Sequence, residues 1–260
     1  MGNCVSNDNV KADSAATNKP AAKPAAAADN KSVETKAVVV QAEESPAAVA
    51  KPAAEATAAV VAAQLSALSE ADLNKLYTNA RTYHSFDESF KLSDDDCKAL
   101  YDVIKLAPQA FNCSAARFFF VKSSEQREKL FSTLMPGNIP QSRQASLNLI
   151  VATDYGFVKH LPQLSPAYDA KALFDANPGL VAPTAVLNSS LAVGYAILAA
   201  RALGYDVGPM AGFDNAAMDK AFFDGTELKS VVVINIGKGT EAGLYPRAPR
   251  LGFTDACKIL

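Results

Sequence analysis

Residues 66–260 read as an α+β or mixed α/β sandwich, and three features of the sequence predict it. All 13 Phe and 8 Tyr lie at or after Tyr77. The large apolar side chains that offset the entropy of ordering a chain are therefore confined to this part. Three short runs, Arg117–Lys122, Leu147–Thr153 and Val231–Ile236, are rich in aromatic or β-branched residues and read as strands. Between the last two lies a long apolar helix, about Val181 to Leu203, which stops at Gly204. Helices and strands in this mixed order build a layered sandwich.

The first 65 residues are of another kind. Ala, Pro, Lys, Glu, Ser and Thr dominate, and Pro20, Pro24, Pro46 and Pro52 break any long helix. The segment reads as a flexible tether, transiently helical around Ala53–Gln64. It has neither the long apolar region of a secretory signal nor the arginines of a mitochondrial transit peptide. Met1-Gly2-Asn3-Cys4-Val5-Ser6 fits the pattern for myristoylation of Gly2, and Cys4 stands beside it as a palmitoylation site. Two acyl chains would hold the protein on the cytoplasmic face of a membrane; without them it is expected in the cytoplasm.

The folded part begins with a helix capped by Ser69, with Asp72 three residues on and apolar positions at Leu65, Leu68, Leu73 and Leu76. A second helix follows Ser93-Asp94-Asp95-Asp96, whose acidic first turn suits the helix dipole. Its apolar positions Leu100, Val103, Ile104 and Leu106 run to Pro108. The run Leu191–Ala200 in the long helix is shorter than the ~20 residues a membrane span needs, and a helix buried on most sides is expected there. The chain shows no internal repeat.

Composition excludes several functions. Net charge is −2, and no basic block or RNA-binding signature appears, so no nucleic-acid partner is expected. Cys4, Cys97, Cys113 and Cys257 form no CxxC pair, and His84 and His160 lie far apart, so neither a disulfide framework nor a metal site is expected. There is no Walker A loop, GxGxxG, GxSxG or HExxH. Spacing and composition alone stop at an α/β domain.

Several stretches carry the reading further. They are Ala80-Arg81-Thr82-Tyr83-His84, Ala107–Arg117, Pro136-Gly137-Asn138, Asn188-Ser189-Ser190-Leu191, Ala199–Asp214 with its Gly208-Pro209-Met210-Ala211-Gly212, Asn235–Gly239 and Pro246–Leu251. In this order they resemble the nitroreductase superfamily, most of all the branch that contains malonic semialdehyde reductase. The resemblance covers nearly all of residues 66–260. It implies a three-layer sandwich with a mostly antiparallel central sheet and an FMN at a homodimer interface.

The resemblance also implies site residues. Arg81 stands where the family binds the FMN phosphate, and a guanidinium fork suits that dianion. Thr82, Tyr83 and His84 continue the same loop. Arg247 and Arg250 match the basic residues near the family's carboxy terminus, which also approach the phosphate. Gly208, Pro209, Met210, Ala211 and Gly212 match the loop along the flavin ring, where glycines permit close backbone approach. Pro108, Gln109, Ala110 and Asn112 match the segment that reaches the partner subunit's flavin. Gln109 and Ala110 replace the family's small hydroxyl residues, and Ala115 replaces a proline. Ser142 or Asn138 supplies a contact to the pyrimidine edge.

The implied activity is NAD(P)H-dependent reduction of a small electrophile, either a 3-oxo acid or aldehyde, an enone, a quinone or a nitroaromatic. NADPH or NADH and the acceptor use one pocket in turn, which gives ping-pong turnover. The cofactor carries the chemistry, so no catalytic side chain is nominated. The alternative is a membrane-tethered flavin-binding or scaffolding protein with little turnover.

Overall fold

The computed structural model describes residues 68–260; the acylation motif at Gly2 and Cys4 and the expected tether over 1–65 lie outside the described residues. Ser69 caps the first helix, α1 (Glu70–Leu73), its hydroxyl accepting the Asp72 N–H at 3.1 Å. The helix continues as a π-turn over Asn74–Thr78. Leu68 and Leu73 are exposed, contrary to the expected apolar stripe. Leu68 precedes the cap and lies outside the helix, and the wider π-turn that follows Leu73 puts Leu76 out of the 3.6-residue repeat. The second helix, α2 (Asp94–Ile104), begins with a full capping box. Ser93 Oγ accepts the Asp96 N–H at 3.1 Å, and Asp96 Oδ2 accepts the Ser93 N–H at 2.7 Å. Leu100 and Ile104 enter the core, whereas Val103 and Leu106 stay exposed.

The three expected strands form as β1 (Ala116–Val121), β2 (Leu147–Asp154) and, across a longer span than expected, β4 (Leu228–Gly237). A fourth, β3 (Asp206–Met210), takes in Gly208, Pro209 and Met210, which the sequence places in a loop. All pairings are antiparallel, in the order β1-β2-β4-β3. Pro209 is tolerated because β3 is the last strand of the sheet, where a missing N–H costs little. Beyond it the chain at Thr82 and Tyr83 approaches: Thr82 bridges Val207, and the Tyr83 N–H donates to the Val207 carbonyl at 3.0 Å.

Helices cover both faces. One face of β2, with Leu147, Leu149 and Val151, packs against α2 and α7 (Val181–Ala202). The other, with Ile150 and Ala152, packs under α3 (Ser124–Phe131) and α8 (Asn215–Phe223). The result is the three-layer sandwich. The alternation follows from the two-residue repeat of a strand, and each fully buried Leu or Ile contributes about 1.5–3 kcal/mol. Four shorter helices complete the described residues: α4 (Ile139–Gln144), α5 (Leu161–Leu164) and α6 (Ala170–Ala176) precede α7, and α9 (Phe253–Ala256) lies in the tail.

Helix α7 is less enclosed than the sequence suggests. Apart from Asn188 its buried face is made of small residues, Ala185, Ser189, Ala192, Ala196, Ala199 and Ala200, which let the backbone settle close on the sheet. Leu187, Leu191 and Tyr195, spaced four apart, form an apolar stripe on the open side. Composition alone cannot separate the two faces, because both are apolar. By length and composition Pro178–Ala202 would also suffice to cross a membrane.

Candidate functional site

The carboxy-terminal tail returns across the first helix and builds a pocket with it. Arg247 Nη2 donates to the carbonyl oxygens of Thr78 at 2.6 Å and Ala80 at 2.9 Å. An Arg81 guanidinium nitrogen donates to the Tyr245 carbonyl. Arg201, in the last turn of α7, reaches the Leu76 carbonyl at 3.2 Å. These contacts bring Arg81, Arg201, Arg247 and Arg250 around a cavity of about 380 Å³, together with Thr82, His84 and Tyr245.

The cavity holds four guanidinium groups and no carboxylate among its lining residues. None of the four makes an ion pair among the described residues. Their partners are backbone carbonyls, which orient a guanidinium without neutralising it. Burial and then the charge of Arg247 lower the Arg201 pKa. A cluster of like charges that lacks an ion-pair partner is suited to a dianion, and forked guanidinium donors match phosphate oxygens. Arg201 was not singled out in the sequence, because a basic residue in the last turn of a helix reads as dipole compensation.

Beside this pocket runs β3. Gly208 is where the chain at Tyr83 crosses it: a Cβ there would overlap the Tyr83 carbonyl oxygen. Gly239 is closed by the Tyr83 ring in the same way, and Gly212 by the Asn138 amide. Gly208 and Gly212 therefore admit protein neighbours, where the sequence reading had them admit a flat ligand. Burial, then Asp206, raises the Tyr83 pKa, which keeps the phenol neutral. Ala211 stands exposed past the end of the strand.

Ser142 is buried beneath this loop and not open to it. Its hydroxyl donates to the Asn138 carbonyl at 2.8 Å and accepts from Asn235 Nδ2 at 3.1 Å. Asn148, paired across the strands with Asn235, donates to Asn235 Oδ1 at 2.7 Å. This buried polar cluster went unread in the sequence, although each of two apolar strands carries one Asn. Above it His84 Nδ1 lies 2.7 Å from Gln141 Oε1, Gln141 Nε2 donates to Asn138 Oδ1 at 3.0 Å, and Asn138 Nδ2 donates to the Gly212 carbonyl at 2.8 Å.

The segment after Pro108 lies elsewhere. Phe111, Asn112 and Ser114 have φ of 55°, 50° and 44°, the left-handed region that costs a non-glycine residue roughly 1–2 kcal/mol. Hydrogen bonds hold it there. The Ala110 N–H donates to Asn188 Oδ1 at 2.8 Å, and Asn112 Nδ2 donates to the Leu164 carbonyl at 2.8 Å. Gln109 turns inward, its Oε1 accepting the Ala115 N–H at 3.0 Å. Phe111 stacks on Tyr168, with ring centroids 6.1 Å apart. Gln109 lines a second cleft of about 530 Å³ that shares no residue with the arginine pocket. The one arginine there, Arg117, is neutralised by Asp154 at 2.6 Å. Within one protomer the expected site residues thus fall into two separate groups. Cys97 and Cys113 are buried thiols whose pKa values burial raises. Among the described residues no His, Cys, Asp and Glu cluster could hold a metal.

Residues 77–238 match the model of the nitroreductase family. The chain is 43% identical over 195 residues to a protein of Polynucleobacter asymbioticus provisionally named NADH dehydrogenase/NAD(P)H nitroreductase, covering 75% of this chain and 99% of that protein. A protein of Rhodopseudomonas palustris with the same provisional name is 45% identical over 195 residues, 75% of this chain and 99% of that one. Among solved structures, a nitroreductase-type protein of Bacillus subtilis superposes with a TM-score of 0.66 at 22% identity, over 74% of this chain and all of that one. One of Exiguobacterium sibiricum, solved in complex with FMN, gives 0.62 at 21% identity, over 75% of this chain and all of that one. The layered fold, the matched residues and the full coverage of these relatives agree: the chain belongs to the nitroreductase family.

Proposed function

We propose that this chain is an NAD(P)H-dependent FMN oxidoreductase that reduces a small electrophilic acceptor. The observation that carries the proposal is the pocket of four arginines with no carboxylate. Its donor set fits a phosphate monoester, and Arg81, Arg201, Arg247 and Arg250 would hold the FMN phosphate. Met210, Ala211 and Gly212, at the end of the strand that borders the pocket, would run beside the ring. FMN when bound supplies the redox chemistry, accepting reducing equivalents from NADH or NADPH and passing them to the acceptor. The relatives' names and the FMN complex of the Exiguobacterium protein support this reading.

The second half of the site comes from a second copy of the chain. The Pro108–Asn112 segment shares no cavity with the arginines of its own protomer. The exposed stripe Leu187, Leu191 and Tyr195 is the surface a homodimer would cover. The acceptor is drawn from the 3-oxo acid or aldehyde, enone, quinone and nitroaromatic classes. Attachment to a membrane through acylated Gly2 and Cys4 rests on the Met1–Ser6 motif alone. Mass spectrometry of the amino terminus in the native cells tests it.

One observation favours the alternative, a flavin-binding protein with little turnover. Gln109 spends its side chain on its own loop and offers the ring no small hydroxyl. One experiment separates the two readings. The purified protein is mixed anaerobically with NADH and with NADPH while the flavin absorbance is followed. Bleaching by either identifies a reductase. Bound flavin that neither donor bleaches identifies a binding protein, and a protein that takes up no FMN removes both readings.

A further inference from the structure

We infer that His84, Gln141 and Asn138 are positioning residues that couple the arginine pocket to the Met210–Gly212 loop. A phosphate monoester seated in the pocket then steadies the loop that would border the flavin ring. The inference rests on the reading of that pocket as a phosphate site.

The hydrogen bonds run in one direction, and a backbone group anchors it. The Gly212 carbonyl can only accept, so the Asn138 atom facing it at 2.8 Å is Nδ2. Asn138 Oδ1 then faces Gln141 and accepts from Nε2 at 3.0 Å. That leaves Gln141 Oε1 toward His84, so the proton on the imidazole sits at Nδ1, 2.7 Å away. Neither the Gln141 nor the Asn138 amide can turn over alone without setting two oxygens or two N–H groups against each other, and a turned His84 ring would lose its bond to Gln141. His84 is itself a wall of the arginine pocket, and its ring meets the Tyr245 ring edge-on at 5.2 Å. The chain of contacts therefore begins in the anion pocket and ends on the loop.

Four further features make the connection stiff. Gln141 is 91% buried, with 9% of its surface exposed, so water is poorly placed to replace a broken bond. Gln141 lies on α4, whose carboxy-terminal end Arg127 ties down through the carbonyls of Ser142, Arg143 and Ala145 at 2.8–2.9 Å. At the far end Gly212 leaves no space, because a Cβ there would overlap Asn138 Nδ2. The Gly212 carbonyl also accepts the Met135 N–H at 3.0 Å, which fixes the loop from a second side. Asn138 uses both ends of its amide on the protein, so its role here is to place the loop.

Inorganic phosphate serves as the probe, which keeps the test independent of flavin and of turnover. Phosphate binding to the full chain is measured by calorimetry, and hydrogen exchange is followed at the amides of Met210–Phe213. In the parent protein phosphate is expected to slow exchange at these amides by roughly fivefold or more. Gln141→Leu removes both of its bonds, and Asn138→Asp removes the Nδ2 donor with almost no change of shape. Each is expected to bind phosphate yet lose the slowing. If Gln141→Leu does not fold, Asn138→Asp decides. Phosphate binding without slowing in the parent overturns the coupling and leaves the pocket assignment standing. So does slowing that persists in the variants. A parent protein that binds no phosphate overturns the pocket assignment and the coupling together.

Discussion

Arg247 and Thr78 meet across 169 positions of sequence, the guanidinium of one donating to the carbonyl of the other at 2.6 Å. The contact closes the carboxy-terminal tail onto the end of the first helix and sets the rim of the arginine pocket. Arg247 is thereby both a brace and a charge, and Arg81, bonded to the Tyr245 carbonyl of the tail, is the same from the other side.

Arg81→Ala tests the charge. One charge-assisted hydrogen bond to an ion is worth about 1.5–3 kcal/mol, which is roughly a tenfold to more than a hundredfold loss of FMN affinity. Folding should persist. A flavin titration with unchanged affinity removes Arg81 from the site. Arg201→Met should weaken binding as well. A variant of Arg201 with full affinity would show that this arginine only holds the Leu76 carbonyl.

A stability prediction follows from Arg127. Its guanidinium donates to the carbonyls of Ser142 and Arg143 at 2.8 Å and of Ala145 at 2.9 Å. These carbonyls close the carboxy-terminal end of α4, where helix acceptors lack intrahelical donors, and the cation also suits the negative end of the helix dipole. Desolvation, then the nearby Arg143, lowers the Arg127 pKa, so burial is a cost that the carbonyls offset. Arg127→Ala takes this donor from the Arg143 and Ala145 carbonyls, whereas the Ser142 carbonyl keeps Asn148 Nδ2 at 3.1 Å, and should cost about 2–4 kcal/mol. The measure is the urea midpoint. A change within experimental error would mean that water replaces the guanidinium.

How much of this was legible in the sequence depends on how local each signal is. The start of the second helix after Ser93 is written within four residues and forms as expected, with a full capping box added. The strands β1, β2 and β4 announce themselves by runs such as Leu147–Thr153 and Val231–Ile236. Strand β3 does not, because Gly208-Pro209 reads as a turn and only the edge position of the strand makes it acceptable. Helix α3 is short and largely polar, with only Leu130 and Phe131 buried, so no periodic stripe marks it. The arginine pocket was half legible. Arg81, Arg247 and Arg250 stand in motifs, but Arg201 joins them only through the path of the tail. Gln109 could be flagged as unusual, yet its bond to the Ala115 N–H follows from a left-handed turn that no local pattern announces.

The Tyr205 hydroxyl donates to Asp96 Oδ1 at 2.9 Å, which joins the start of β3 to the cap of α2. Burial first, then the bond to Asp96, pushes the Tyr205 pKa up to about 12. The folded pKa lies above the ordinary phenol value of about 10, so the neutral form is favoured on folding. This contribution is present in full below pH ~10 and is lost as pH rises through ~12. Tyr205→Phe should therefore lower stability at neutral pH and flatten the fall between pH ~10 and ~12. Urea midpoints across that range, parent against variant, carry the test. Identical slopes would show that other groups set the alkaline limit.

Turnover should be ping-pong. The nicotinamide donor and the acceptor are proposed to use one pocket beside the Met210–Gly212 loop, so neither can bind while the other is present. Double-reciprocal plots at several donor concentrations should give parallel lines. Intersecting lines would require two separate pockets, and the second cleft around Gln109 would then be the place to look.

The final prediction concerns the exposed side of α7. Leu187 is 59% exposed, Leu191 42% and Tyr195 39%, and together they form one stripe. A contiguous apolar surface of this kind is seldom left to water in a stable monomer. In a two-fold dimer the same stripe would meet itself, which places Leu191, at its middle, near the axis. Leu191→Lys would then set two like charges in an apolar contact, where the cost of burying an unpaired charge far exceeds that of losing a methyl group. The variant should sediment as a monomer of about half the parent's mass while its far-UV circular dichroism stays unchanged. FMN affinity should fall with it, because the Pro108–Asn112 segment and the arginine pocket of one protomer do not share a cavity. A monomeric variant that keeps full FMN affinity would show that one chain builds the whole site. A parent protein that is already monomeric with tightly bound FMN would show the same.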